Sequence, residues 1–326
     1  MNVRLAVAVA VSACTCAAAH GHAGAGIVVD ARGQVYFVHG VTSRIMRIDT
    51  DGHLSTFVQG TDGGKLSTPH HLVLDTKGNL WSAGDRDGHL WKIAPDATTT
   101  LAYPPLGGSG VGFLGAGGDP FTIDDAENIY FVNSRQFAYT QLLRSRPDGR
   151  LAVVAGGDWG FADGPATTAR FRDLHGAAMR LARDGALLLT DGGTCVRRVA
   201  PDGTVSTVAG GAEGGFADGP AKSARFLGAC GLAIEVDDSI LVADAGNRRV
   251  RRIAPDGTVS TIAGSGRRGD ADGSALSATF DTPAGVAVGP DGTIFVLDFH
   301  DDDPRVRRIG RDGMVTTIAV TDSHAR

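Results

Sequence analysis

Three stretches decide the fold: APDGTVSTVAGG at 200–211, APDGTVSTIAGS at 254–265 and the weaker copy GRDGMVTTIAVT at 310–321. Self-similarity at a fixed period means one supersecondary unit used several times. Working outward, Asp-Gly pairs or their remnant recur at Asp51, Asp96, Asp148, Asp202, Asp256 and Asp312, spaced 45 to 56 residues apart. That is the length of a four-stranded propeller blade, and it gives six units. In the fifth, GLAIEV at Gly231, SILVAD at Ser239, RRVRRI at Arg248 and TVSTIAG at Thr258 are short β-branched runs separated by turn residues. Proline presets φ at the first turn position of Pro-Asp-Gly, and the glycine accepts the positive φ of a tight reversal.

The predicted fold is all-β: a six-bladed β-propeller of four-stranded antiparallel blades, covering 25–320 with blades near 25–60, 68–103, 118–157, 172–210, 227–264 and 281–320. The inner strands read GIVVD at Gly26, HLVLD at His71, PFTID at Pro120, GAAMRL at Gly176, GLAIEV at Gly231 and GVAVG at Gly285. No terminal strand completes another repeat, so ring closure is expected to rest on packing of blade 1 against blade 6.

The repeat resembles the NHL family of β-propellers, in the pattern P-x-G-h-A-h-D, G-x-h-y-h-A-D, N-x-R-h and a closing D-G turn; 282–317 and 228–264 match it well. Blade 4 lacks the asparagine, and blade 3 carries Asn133 where the A-D aspartate should stand. The resemblance implies a fold and not an activity, because propellers serve as enzymes, sensors and docking platforms.

Residues 1–19 read as a signal peptide: one arginine, an apolar run from Leu5 to Ala13, then small residues with Ala17 and Ala19 at the cleavage positions. A lipobox-like Val11-Ser12-Ala13-Cys14 offers a lipoprotein as the other reading. Either way the protein is expected to be exported, periplasmic or secreted, and a monomer. No segment reaches the roughly 20 apolar residues of a transmembrane helix. An oxidising compartment suits a disulfide, and the repeat alignment makes Cys195 and Cys230 neighbours on adjacent blades, so a Cys195–Cys230 bridge is predicted. The net charge of −5 argues against nucleic acid despite arginines at Arg197-Arg198, Arg248 to Arg252 and Arg305 to Arg308. Those arginines are assigned to solvated blade flanks, paired with the Asp-Gly aspartates.

Aligning the repeats puts Ala25, His70, Asp119, His175, Cys230 and Ala284 at the start of the inner strands, around the channel mouth. His70, Asp119 and His175 on consecutive blades are candidate ligands for one divalent ion, zinc first and calcium otherwise. His39 and His300 should share that face. Thr68-Pro69-His70-His71-Leu72 and Leu174-His175-Gly176 are similar to zinc-binding segments of the peptidyl-α-hydroxyglycine α-amidating lyases, and Tyr139 to their tyrosine; Tyr139, by that resemblance, or His39, by its place in the repeat, is the candidate base. The third zinc histidine is missing, Ala284 standing in its place, and only Arg44 and Arg135 offer themselves for the family's arginine. Streptogramin lyases share the Gly78-Asn79-Leu80-Trp81 flavour of blade 2.

Asp301-Asp302-Asp303 lacks the alternating spacing of a calcium loop, and His20-Gly21-His22 would chelate copper only at a terminus cut after Ala19. Gly107 to Gly118 reads as a long connection, since it lacks the lysine and helix of a phosphate loop. Related loops at Gly160–Pro165, Gly215–Pro220 and Gly269–Gly273 each lead to a phenylalanine, Phe171, Phe226 or Phe280, expected to anchor between blades. Two functions follow: a binding scaffold whose loop-rich face holds a protein, peptide or small molecule, or a metal-dependent lyase or hydrolase at the mouth.

Overall fold

The computed structural model describes residues 26–60, 66, 69–84, 89–103, 119–135, 138–300 and 303–320. The leader, Cys14, His20 to His22, Ala25, Thr68, Gly107 to Gly118, Asp301 and Asp302 therefore lie outside the described residues. Six antiparallel sheets follow one another along the chain, each built as a meander from inner to outer strand. Blade 1 spans Ile27–Val29 to Leu54–Gln59, blade 2 Pro69–Leu74 to Thr99–Tyr103, and blade 3 Phe121–Ile123 to Leu151–Asp158. Blade 4 spans Met179–Leu181 to Val205–Gly210, blade 5 Ala229–Ile234 to Thr258–Ala263, and blade 6 Thr282–Val288 to Met314–Val320.

Each inner strand packs against the next, and that of blade 6 lies against that of blade 1, which closes the ring. Closure is by packing, as expected: Ile27, Phe37 and Ile45 share one buried cluster with Leu297, Phe299 and Val306. Glycine permits the close approach of inner strands: a Cβ on Gly231 would stand 2.7 Å from the Ala284 carbonyl oxygen.

Blades 5 and 6 carry a fifth strand that the repeat does not announce. Gly219–Pro220, in the connection from blade 4, pairs with Thr258 and Val259 on the outer edge of blade 5. Gly273–Ser274 does the same to blade 6, and Gly164 bridges Val205 on blade 4. Each connection descends along the next blade's edge and returns to start its inner strand, sealing hydrogen-bonding groups that would otherwise invite aggregation.

The phenylalanines anchor these connections as predicted, with Phe171, Phe226 and Phe280 all fully buried. The arginines correct the sequence reading. Arg197, Arg251 and Arg307 are not on solvated flanks but have no exposed surface at all. Each binds the A-D aspartate of its own blade: Nη1 donates to Asp191 at 2.7 Å, Asp244 at 2.9 Å and Asp298 at 3.2 Å. Nη2 reaches the connection, donating to the carbonyls of Ala162, Ala217 and Ala271 and pairing with Asp163, Asp218 and Asp272. The guanidinium stacks on Phe171, Phe226 or Phe280 at 5.1 to 5.3 Å, a cation–π contact in a dry site. The loop aspartate then uses its carboxylate on the outer strand, accepting from the N–H and hydroxyl of Thr207, Thr261 or Thr317.

The second correction concerns the cysteines. Cys195 and Cys230 are both buried and are not joined to each other in the structure, so the predicted bridge is not made. Their segments do touch, since Ala229 N–H donates to the Gly193 carbonyl at 2.9 Å. Cys195 Sγ, however, turns to its own blade's Asp191 carbonyl at 3.5 Å, while Cys230 enters the apolar cluster with Ala245 and Ala284. Burial pushes the Cys195 thiol up to about 12, which leaves it inert.

Candidate functional site

The inner strands begin, and the second strands end, on the face from which the blade-to-blade connections leave. That face holds the predicted residues. Asp119, just before Phe121–Ile123 of blade 3, is 7% exposed. His175 precedes blade 4's inner strand, where its N–H donates to Asp173 at 3.0 Å. Its Nδ1 stands 3.5 Å from Asp119 Oδ1, so two of the three metal candidates meet across the blade 3–4 boundary. The contact is an ion-pair distance without hydrogen-bond alignment: Asp119 Oδ1 is buried and has no hydrogen-bond partner.

His70 is buried on blade 2, but it does not complete a set with Asp119 and His175. It sits in an irregularity between Pro69 and Leu72, where pairing with the second strand slips. Among the described residues, the three metal-competent side chains whose ligand atoms all lie within 4.8 Å are Asp49, Asp51 and His53. They belong to the turn between the third and fourth strands of blade 1, at the other end of the blade, where Asp49 already accepts the N–H groups of Asp51 and His53. The sequence reading passed over them because the same Asp-Gly turn occurs throughout the chain.

His39 ends blade 1's second strand opposite Arg44 and is 3% exposed, with Nδ1 buried and lacking a hydrogen-bond partner. Burial holds its pKa below the usual histidine value, with the Asp303 charge opposing, which keeps the imidazole neutral. His300 lies with blade 6, its Nδ1 3.1 Å from Asp281, a buried carboxylate that also takes a two-pronged pair from Arg268 at 2.6 and 2.9 Å. Tyr139 opens blade 3's third strand, with Arg135 and Asp158 opposite it in the ladder. Arg44 Nε donates to Gln59, so it is engaged within blade 1.

The rim divides in two. The position of Asp191, Asp244 and Asp298 is held by His39, Gly84 and Asn133 in blades 1 to 3, and the position of the buried arginine by Met46, Trp91 and Leu143. Acid and base are lost together, as they must be, because either alone would be an uncompensated buried charge. At the opposite end, a cleft of 620 Å³ between blades 5 and 6 is lined by Glu235, Arg252, Asp291 and Arg311. There Arg252 and Glu235 satisfy each other at 2.6 and 2.7 Å.

No family model matches the chain. Teneurin-3 of Danio rerio is 25% identical over 245 residues, which make up 70% of this chain and 8% of teneurin-3. The chain thus spans a small fraction of that relative. An auxiliary nutrient binding protein from Bacteroides thetaiotaomicron superposes with a TM-score of 0.64 at 14% identity, over 91% of this chain and 70% of that one. A streptogramin B lyase superposes with a TM-score of 0.54 at 15% identity, over 93% and 85%. What these solved structures share with the chain is the propeller. Identities this low carry the fold and leave the chemistry to the residues at the mouth.

Proposed function

We propose that the protein is an exported binding propeller, monomeric, which holds a protein, peptide or small-molecule ligand on its loop-bearing face without transforming it. The observation that carries this reading is the rim itself. Three connections fixed by buried arginines wall the mouth, while its histidines and carboxylates are distributed as separate pairs, Asp119 with His175 and Asp281 with His300. Rigid walls around dispersed polar groups suit recognition; a reaction centre needs convergent ones. The fold likeness to an auxiliary nutrient binding protein is in keeping with it.

One observation favours a second reading, a metal-dependent lyase or hydrolase. Asp119 Oδ1, buried and lacking a hydrogen-bond partner beside His175, is the kind of atom that a divalent ion would take. Asp119 and His175 would be two ligands, and zinc would supply Lewis-acid polarisation of a substrate oxygen. His70 lies outside their set, which is why binding is placed first. Metal analysis of protein purified without a histidine tag separates the two. The binding reading expects no stoichiometric zinc after dialysis and none taken up on titration. About one zinc per chain, lost in a folded His70→Ala, His175→Ala variant, would overturn it in favour of the enzyme.

A further inference from the structure

The connections that seal blades 4 to 6 show what the outer edge of a blade accepts. In each case an Ala-Asp-Gly segment lies along it. The glycine pairs with a valine at the start of the outer strand, Gly164 with Val205, Gly219 with Val259 and Gly273 with Val315. The aspartate takes the N–H and hydroxyl of the threonine two residues on, at 2.9 and 3.0 Å for Thr207 and at 3.0 Å for both bonds of Thr317. Beneath that cover Val205, Val259 and Val315 are at most 1% exposed.

Blade 1 has the same edge without a cover among the described residues. By register Leu54 stands where Val205 stands and Thr56 where Thr207 stands, with the same slip after the second residue of the third strand. Leu54 is 36% exposed. Thr56 is exposed too, its hydroxyl resting on Met46 Sδ at 3.8 Å, a weak bond beside the two-pronged carboxylate contact of its counterparts. The shared register turns the Thr56 N–H outward. Residues 1–25, which precede the blade, contain no aspartate. Blade 1 therefore keeps the register of the covered edges, and no segment among the described residues lies on it.

We propose that the outer edge of blade 1, Leu54–Gln59, is a docking site for an extended Asp-Gly segment of a partner protein, added in trans as a further antiparallel strand. Recognition uses main-chain bonds at Leu54, a carboxylate on Thr56 and an apolar cover over Leu54, the mode by which sheet edges capture peptides. Met46 in place of the buried arginine makes it the weaker, exchangeable form of the contact that the molecule makes permanently elsewhere.

The test uses the full chain and a synthetic peptide of residues 160–171, with backbone amide exchange as readout. Slowed exchange at Leu54 and Thr56, saturating with a Kd under about 1 mM, is expected. A peptide with Asp163→Asn and a protein with Thr56→Val should each weaken binding about tenfold, the effect of one charge-assisted hydrogen bond. Thr56 is exposed, so that variant keeps its fold. Absence of protection on blade 1, or equal protection by the Asn peptide, would overturn the proposal. So would protection that rises with protein concentration alone, which assigns the edge to a second copy. Binding only after removal of residues 1–25 would assign it to the chain's own leading segment.

Discussion

Replacing Arg251 with methionine tests the mechanical reading of the rim, because blade 1 already carries methionine there without an acid beside it. Arg251 is fully buried and links Asp244, Asp218, the Ala217 and Arg225 carbonyls and two phenylalanine rings. Methionine fills the volume but leaves Asp244, itself fully buried, with only Leu227 N–H and Asn247 Nδ2 as donors. Breaking a buried pair from one side costs about 3–5 kcal/mol. At ~2–4 °C per kcal/mol for a domain approaching this size, Tm should fall by about 6–20 °C. Adding Asp244→Asn removes the stranded charge, and the double variant should regain about half of the loss. Thermal unfolding gives the magnitudes, and amide exchange over 211–228 should quicken before the blades open. A single variant within about 1 kcal/mol of the parent, or a double variant as unstable as the sum of the two singles, would refute the account.

Two further outcomes follow from the same buried groups. Burial pushes Asp191 and Asp298 up to about 6 against the opposing arginines, so the folded state holds their protons more tightly than the unfolded chain does. Their stabilising contribution is complete below the unfolded carboxylate pKa of 3.8 and is lost as pH rises through about 6. Unfolding measured at pH 5 and pH 7 should show the parent gaining stability on acidification relative to an Asp191→Asn, Asp298→Asn variant; parallel profiles would count against it. Cys195 and Cys230 should resist thiol reagents in the native protein and both react on unfolding without reductant, as mass labelling would show. Finding them joined would overturn that expectation.

The blades were legible because turn chemistry and β-branched runs repeat at one spacing, and local signals of that kind survive any tertiary context. The roles of the arginines were not. RRVRRI reads as a charged strand, and only the register decides that Arg251 turns into the groove while Arg252 stays 38% exposed beside Glu235. A slip by one residue exchanges the two faces, and the second and third strands pair without one through each buried arginine; the extra residue there stands on the fourth strand, at Val208, Ile262 and Ile318. A sequence signal existed all the same: acid and arginine vanish together in blades 1 to 3. At the mouth, alignment of repeats gave the level at which Asp119 and His175 meet. It could not give direction, and at His70 the irregular pairing of Pro69 to Leu72 removed the symmetry on which the third ligand depended.

That partition bears on where a ligand would find its partners. In blades 4 to 6 the rim aspartates are consumed: each carboxylate holds an arginine on one oxygen and a main-chain N–H on the other, as Asp244 does with Arg251 and Leu227. Their polar capacity is spent on rigidity. In blades 1 to 3 the equivalent positions carry His39, Gly84 and Asn133, with no arginine to bind, and it is there that His39 Nδ1 lies buried without a hydrogen-bond partner. Asp119 Oδ1 adds a second such atom on blade 3. Because buried polar atoms are expensive to leave unmatched, a ligand gains by engaging His39 Nδ1 and Asp119 Oδ1, to which Arg172 Nε on blade 4 and His300 Nδ1 on blade 6 add further atoms of the same kind.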